Sequence, residues 1–311
     1  MICSQTKIKF YNDFHLTNFN TLKIDSIADL FYMPDNYGEM ISLFKKFKKE
    51  NLTPIVLGNG SNVLFSSKGI KQPIIHTGKI KSTFNIDSTI EVEAGFKTQA
   101  LSKLALEKKL SGFEFLIGIP ATLGGAIYMN AGAHGQTISD YLISAKVYDY
   151  KNNKTLTLKK EELNFSYRHS IFSEKPYILL SAKFNLIKST TDEIKAKMDE
   201  NLIFRKNRQP NLALPNAGSV FKNPKDSEFS AGALIDKCGF RGYSVGDCQV
   251  WENHCNFIIN KGKATSLDYT NLIFEIYTKV KEKFNIELTP EIIYLGEMTR
   301  EEKEKWKILK K

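Results

Sequence analysis

Six of the chain's nineteen glycines lie between Gly112 and Gly135, in GFEFLIGIPATLGGAIYMNAGAHG, together with one proline and two runs of small residues. No regular helix can run through such a stretch, because glycine leaves the backbone unrestrained and proline removes a donor. The segment must be built of turns in which backbone approaches something closely. A second glycine turn, GNGSN at 58–62, follows a short apolar run at 53–57 and opens into Val63, Leu64 and Phe65. A third loop, AGSVFKNP at 217–224, sets a small-residue pair before a serine, with a lysine three positions beyond.

The periodicities around these loops alternate between helix and strand. In 36–50, Met40, Leu43, Phe44 and Phe47 recur at i, i+3, i+4 and i+7, which predicts an amphipathic helix with a solvated lysine face. Beyond it the order is buried strand, glycine turn, strand. IEVEAG from Ile90 alternates like a strand, and 98–109 repeats Leu101, Leu104 and Ala105 at helical spacing. AKVYDY, TLTLKK and YILLSAKFNLI predict antiparallel strands that close a first domain near Lys188. Residues 189–208 read as a helix with a Ser/Thr start and an acidic first turn. Further on come a helix over 231–239, a strand over 256–259, a helix beginning LDYTNL, and ELTPEIIYLGE at 287–297. The charged tail after that is expected to fray. At 311 residues the chain exceeds the usual single core, so two domains, or one large domain with an appendage, are expected.

Composition removes several classes. With 42% hydrophobic and 25% charged residues the chain is neither disordered nor fibrous. No stretch approaches ~18 uninterrupted apolar residues, and MICSQTKIKFYND lacks the layout of a signal peptide, so a cytoplasmic protein without membrane insertion is expected. Cys3, Cys238, Cys248 and Cys255 form no CxxC pair, and the five histidines form neither HExxH nor HxH. Reduced thiols and no metal site are expected. His254 and Cys255 are adjacent, and in a strand they would face opposite ways, which argues against a thiol catalyst. A serine without a paired histidine and acid is no triad nucleophile. GNGSN has two of the three Rossmann glycines and no following helix, and alone it reads equally well as a hairpin turn. The 44 Lys+Arg against 34 Asp+Glu, a formal +10, fits a nucleic-acid binder, an anion pocket or a lysine-rich background. Glycine turns after strands place N–H groups where an anion can sit, and two of them suggest a phosphate-bearing cofactor.

Jointly, NTLKI, LGNGSNVLF, GFEFLIGIPATLGGAIYMNAGAHG, FSYRHSIF, RQPNLALPNAGSVFKNP, AGALIDKCGFRGYSVGDCQV and LTPE, from about Asn20 to Gly296, resemble the MurB family. These are flavin-dependent UDP-N-acetylenolpyruvoylglucosamine reductases of peptidoglycan synthesis. The resemblance implies an α+β fold: a two-part FAD-binding domain of the vanillyl-alcohol oxidase/PCMH type plus a smaller α+β substrate-binding domain. The first would span 1–188, in parts of about 1–78 and 79–188. The second would span 189–311, its C-terminal segment returning to the active site.

The resemblance also implies non-covalent FAD, NADPH as hydride donor and a UDP-sugar enolpyruvyl ether as substrate, in a monomer with no nucleic-acid partner. Gly58, Asn59, Gly60, Ser61 and Asn62, with Gly118, Pro120, Thr122, Gly124 and Gly125, would cradle the FAD pyrophosphate. Asn130, Ala131 and Gly132 would line the flavin. Arg168 would face the substrate carboxylate, Ser219 would give a proton, and Glu291 would orient or help protonate the intermediate. Tyr167, Arg208, Lys222 and Asn223 would contact substrate. The chain departs from the family's usual text at Ala121, where glycine is common, at His134, Trp251 and Cys255, and in KIDSIAD at 23–29, which lacks a glycine pair. No insertion lies between Arg168 and Arg205, which implies the form without an extra substrate-capping loop. The alternatives are another flavin oxidoreductase of the same fold and a basic nucleic-acid-binding protein. The latter lacks an RNA-recognition aromatic signature, a helix-turn-helix and a dense basic run.

Overall fold

The computed structural model describes residues 8–211, 213–225 and 227–310; Cys3 lies outside the described residues. From the N-terminus run β1 (Lys9–His15), β2 (Ile27–Met33), α1 (Tyr37–Lys49), β3 (Ile55–Leu57), β4 (Val63–Phe65) and β5 (Ile74–His76). Next come β6 (Thr83–Ile86), β7 (Thr89–Glu93), α2 (Thr98–Glu107), α3 (Leu123–Tyr128), β8 (Leu142–Asp149), β9 (Lys154–Lys159) and β10 (Tyr177–Asn185). The C-terminal part holds α4 (Thr191–Arg208), β11 (Asn216–Ser219), α5 (Ala231–Lys237), β12 (Ser244–Val245), β13 (Cys248–Val250) and β14 (Phe257–Asn260). It ends with α6 (Ser266–Phe284), β15 (Ile293–Leu295) and α7 (Arg300–Leu309).

The chain packs into two compact units, each assembled from three stretches. The first holds the described residues to Asn12, then Leu30–Asn59 and Gln72–Ile203. Its central sheet has the order β9-β8-β10-β7-β6 and is antiparallel throughout. Successive strand residues point to opposite faces, so this sheet feeds two cores. Val147, Leu179 and Ala182 pack with Leu101, Ala105, Leu123 and Ile127 of α2 and α3. Tyr148 and Leu180 pack with Met40, Leu43, Phe44 and Phe47 of α1. The predicted apolar stripe of α1 is thereby buried. Asn36 starts that helix by accepting the N–H of Glu39 at 2.9 Å. A second sheet of order β1-β2-β5-β3 carries parallel β2, β5 and β3, and β3 delivers the glycine turn.

The second unit holds Asp13–Asp29, Gly60–Lys71 and the chain from Phe204 onward. Residues 60–71 belong here because β4 pairs in parallel with β15, Val63 opposite Ile293. β3 and β4 lie in different sheets, so GNGSN is no hairpin turn. A four-stranded sheet of order β11-β14-β13-β12 packs on α5 and α6, with Leu234, Ile235, Leu272, Ile273 and Ile276 buried. Leu22 and Leu64, far away in sequence, complete this core.

The C-terminal tail, expected to fray, is the helix α7. Thr299 and Glu302 form a capping box. Trp306 and Leu309 lie in the core, and the buried Glu302 accepts the Tyr294 hydroxyl at 3.0 Å. Apart from Glu302, its acidic residues and most of its lysines lie on the more exposed side, and their density hid the apolar stripe.

Candidate active site

In the first unit Gly58 and Asn59, which open the glycine turn, rest on residues 120–122. A Cβ on Gly58 would lie 2.2 Å from Thr122 Oγ1, so only glycine fits there without a shift. Asn59 Nδ2 donates to the Pro120 carbonyl at 2.6 Å. Thr122 caps α3, accepting the N–H of Gly125 at 3.4 Å, while the N–H of Gly124 goes to Ala94 O at 2.8 Å and that of Leu123 to Phe96 O. Gly118 is buried at the end of a 3₁₀ turn, Glu114–Gly118. The amides opening α3 are therefore committed within the protein. Those of Gly58 to Asn62 donate to no described residue, which suits a turn that holds a pyrophosphate. Ala121 does not have positive φ, which explains why alanine is accommodated where glycine is common.

Asn130 is 5% exposed and has φ 42°. Its Nδ2 donates to Ser166 O at 3.0 Å, whereas its buried Oδ1 accepts from no described group. A buried acceptor in that condition costs about 1–3 kcal/mol. A flavin offers N–H and ribityl O–H donors that would satisfy it, so these residues fit FAD. Ala131 and Gly132 follow at once, and a Cβ on Gly132 would meet Gln136 O at 2.4 Å.

Arg168 sits in a turn closed by two hydrogen bonds of 3.2 Å between Ser166 and His169, with φ 53°. That left-handed conformation in a residue with a Cβ costs on the order of 1 kcal/mol, and strain of this sort collects where function requires it. Both ends of the turn are tied to one segment: Asn130 holds Ser166, and Ser170 Oγ donates to Tyr128 O at 2.7 Å. The guanidinium lies 5.0 Å from the ring centroid of the half-exposed Tyr167. The first unit thus brings Gly58, Asn59, the expected flavin residues of 118–132 and Arg168 onto neighbouring, mutually bonded segments.

In the second unit Ser219 ends β11. Asn216 pairs with Ile259 and Ser219 with Phe257, so β11 has one residue more than β14 over this span. Gly218, at φ 75°, forms the resulting bulge, and bulges re-aim the side chain beside them. Asn216 Oδ1 accepts the N–H of Gly218 at 3.0 Å. Asn256, 4% exposed, clamps the chain just past Ser219: its Oδ1 accepts from Phe221 N at 2.9 Å and its Nδ2 donates to Phe221 O at 2.8 Å. Glu291 is bonded alongside, its N–H donating to Val220 O at 2.8 Å and its carbonyl accepting Asn62 Nδ2 at 3.1 Å. Lys222 extends the pairing through its N–H to Thr289 O at 2.9 Å. Asn62, Glu291 and Val220 are therefore joined by hydrogen bonds, with Ser219 next to Val220 and Lys222 two residues beyond it.

Asn223 uses its side-chain oxygen on the N–H of Ala231 at 3.0 Å, at the start of α5. Arg208 ends α4, 4.8 Å over the Phe204 ring, and its charge together with burial lowers the pKa of His254, burial contributing more. Asn216 and Asn256 escaped the sequence reading; an asparagine in an apolar strand context was the available signal.

His254 and Cys255 lie in a turn and not in a strand, so the expectation from strand alternation fails there. The thiol reading falls for another reason: burial, then Asp236, pushes the Cys255 thiol up to about 11. Burial raises Cys238 and Cys248 as well, so none of the described cysteines is poised as a thiolate. Among the described residues no His/Cys/Asp/Glu group could hold a metal ion, and no helix is long and apolar enough to cross a membrane.

Residues 28–159 match the FAD binding domain family, which makes the chain a flavoprotein by class. Residues 209–295 match the family described as UDP-N-acetylenolpyruvoylglucosamine reductase, C-terminal domain. A reductase of that name from Caldanaerobacter subterraneus is 42% identical over 289 residues, 93% of this chain and 94% of the relative. One from Clostridium novyi is 39% identical over 94% of each chain. The crystal structure of UDP-N-acetylenolpyruvylglucosamine reductase (MurB) from Thermus caldophilus superposes with a TM-score of 0.76 at 30% identity, covering 93% of this chain and 99% of that one. The chain belongs to the UDP-N-acetylenolpyruvoylglucosamine reductase family.

Proposed function

We propose that this chain reduces the enolpyruvyl ether of UDP-N-acetylglucosamine to the lactyl ether of UDP-N-acetylmuramate, in peptidoglycan precursor synthesis, as a cytoplasmic monomer. Family membership supports the activity, with FAD bound non-covalently and NADPH as the hydride donor. The observation that supports the site assignment best is the hydrogen bond from Glu291 N–H to the carbonyl of Val220, next to Ser219, with Asn62 Nδ2 on the Glu291 carbonyl. Functionally, 1–188 is the flavin region, in parts of about 1–78 and 79–188, and 189–311 the substrate region. Gly58 to Asn62 hold the pyrophosphate with Gly118, Pro120, Thr122, Gly124 and Gly125, while Asn130, Ala131 and Gly132 line the flavin.

FAD held by these residues would supply hydride chemistry, passing the hydride of NADPH to the vinyl carbon C3 of the substrate. Negative charge then develops at C2 and spreads into the adjoining carboxylate. Arg168 answers it, since a guanidinium is permanently charged and binds a carboxylate through two donors. Ser219 Oγ–H breaks and its proton goes to C2; the resulting alkoxide takes a proton back from solvent. A hydroxyl suits this step because it is still protonated at pH 7 while the carbanion is strongly basic. Glu291 orients the intermediate or helps to protonate it. Lys222 and Arg208 suit the diphosphate of the sugar nucleotide, with Tyr167 and Asn223 as further substrate contacts.

The test is an anaerobic absorbance experiment on the purified holoprotein. NADPH should bleach the flavin band and the enolpyruvyl sugar nucleotide should restore it. A protein that takes up no FAD, or a reduced flavin that oxygen reoxidises but this substrate does not, would overturn the reading. Ser219→Ala should leave bleaching within about two-fold of wild type while slowing restoration by orders of magnitude; equal slowing of both would remove the proton-donor role.

A further inference from the structure

We infer that Thr21 is a positioning residue for Ser219, locking the serine's strand to the glycine turn through one shared hydroxyl. This rests on the reading of Ser219 as proton donor. β11 is an edge strand, so the outer backbone groups of Asn216 have no neighbouring strand to bond. Thr21 takes both of them. Its carbonyl accepts the N–H of Asn216 at 3.1 Å, and its Oγ1 donates to Asn216 O at 2.6 Å. The same residue reaches the glycine turn, its N–H donating to Gly60 O at 3.1 Å with Oγ1 3.5 Å from that oxygen.

The segment carrying Thr21 is itself stiff. Asn20, 3% exposed, bridges Leu16 O and Ile24 O at 3.0 and 3.1 Å and accepts the N–H of Ile24 at 3.2 Å. Gly60, at φ 63°, is pressed so close that a Cβ there would stand 2.2 Å from Phe19 O. Thr21 is therefore a wedge between Gly60, two residues before Asn62, and Asn216, three residues before Ser219. A proton transfer is sensitive to sub-ångström placement of its donor. A hydroxyl that fixes where β11 begins, upstream of the bulge, thus bears on the transfer without touching substrate. Its side chain has no other role among the described residues.

Thr21→Val keeps the branched shape and deletes the hydroxyl. Two measurements on the holoprotein separate positioning from plain folding. In stopped flow, flavin reduction by NADPH should stay within about two-fold of wild type, while reoxidation by the enolpyruvyl sugar nucleotide slows about ten-fold, with a larger solvent deuterium isotope effect and little change in substrate half-saturation. Amide exchange in peptides covering 213–221 should quicken at least five-fold, and Thr21→Ser should restore both. Should the valine variant not fold, Thr21→Cys, which keeps the size with a weak donor, should show the same split. Unchanged reoxidation and exchange, equal slowing of both half-reactions, or a serine variant as slow as valine would refute the role. Failure of the wild-type protein to be reoxidised by this substrate would instead refute the proposed function.

Discussion

His76 should make the fold acid-sensitive. The imidazole ends β5, stacks on Phe31 with ring centroids 5.8 Å apart, and occupies the space left by Gly78, where a Cβ would fall 2.4 Å from its Cε1. Burial brings its pKa down to about 4, with Lys97 adding repulsion and a hydrogen bond with the Gly58 backbone only partly opposing both. The unfolded chain binds a proton near 6.5, so between 6.5 and about 4 the unfolded state holds more protons than the folded one. Stability is full above 6.5 and is lost as pH falls through that window. A fall from 6.5 to about 4 corresponds to about 3 kcal/mol when complete, of which about 2 kcal/mol is already lost at pH 5.

The assay is urea unfolding of the holoprotein at saturating FAD, at pH 7.5 and 5.0, for wild type and His76→Gln. Glutamine costs some packing at both pH values and has nothing to titrate. The fall in unfolding free energy from pH 7.5 to 5.0 should therefore be about 2 kcal/mol smaller in the variant. Because the imidazole bonds the Gly58 backbone, flavin fluorescence should rise over the same pH interval in wild type. Equal pH dependence in the two proteins would refute the claim that a buried neutral histidine supplies this stability.

Arg168→Gly should separate stability from activity, since glycine adopts φ 53° without strain: the melting temperature stays level or rises by a few degrees, while reoxidation by substrate falls by orders of magnitude. Trp306→Ala should cost about 3–5 kcal/mol in urea unfolding, because it removes a buried indole that donates to Thr270 Oγ1 at 3.0 Å and packs edge-on against Tyr294.

The features legible in the sequence are local in chain distance. The stripe of α1, the turn after β3 and the acidic opening of α4 each depend on neighbours within a few residues, and each lies where the spacing put it. The features that stayed hidden depend on partners far away. Nothing in Val63 to Phe65 tells that β4 will pair with β15 and not with β3, since three successive apolar residues carry no mark of their partner strand. The left-handed Arg168 carries no local mark, because the bonds that impose it come from the turn's ends and from Asn130. For α7 the signal was present: a threonine three residues before Glu302, then Trp306 and Leu309 at helical spacing. The density of lysine and glutamate obscured it.

The excess of ten positive charges also takes on a different sense once residues are placed. Lys45, Lys48 and Lys49 are exposed on α1, on the face opposite its buried stripe, and form an ordinary solvated surface rather than the charged, aromatic-lined groove that single strands require. The cations with a proposed role are few, and two of them are held through their backbones: Arg168 by a turn bonded to 128–130, Lys222 by Thr289. The same holds for Ser219, whose direction is set by a bulge and by the amide side chains of Asn216 and Asn256. In the proposed site each reacting group is aimed by main-chain geometry, and its aim is secured by neighbours to which no chemical step is assigned. Loss of function in this protein should therefore extend to asparagines and a threonine that carry no chemistry, because a donor displaced by an ångström is nearly as ineffective as one removed.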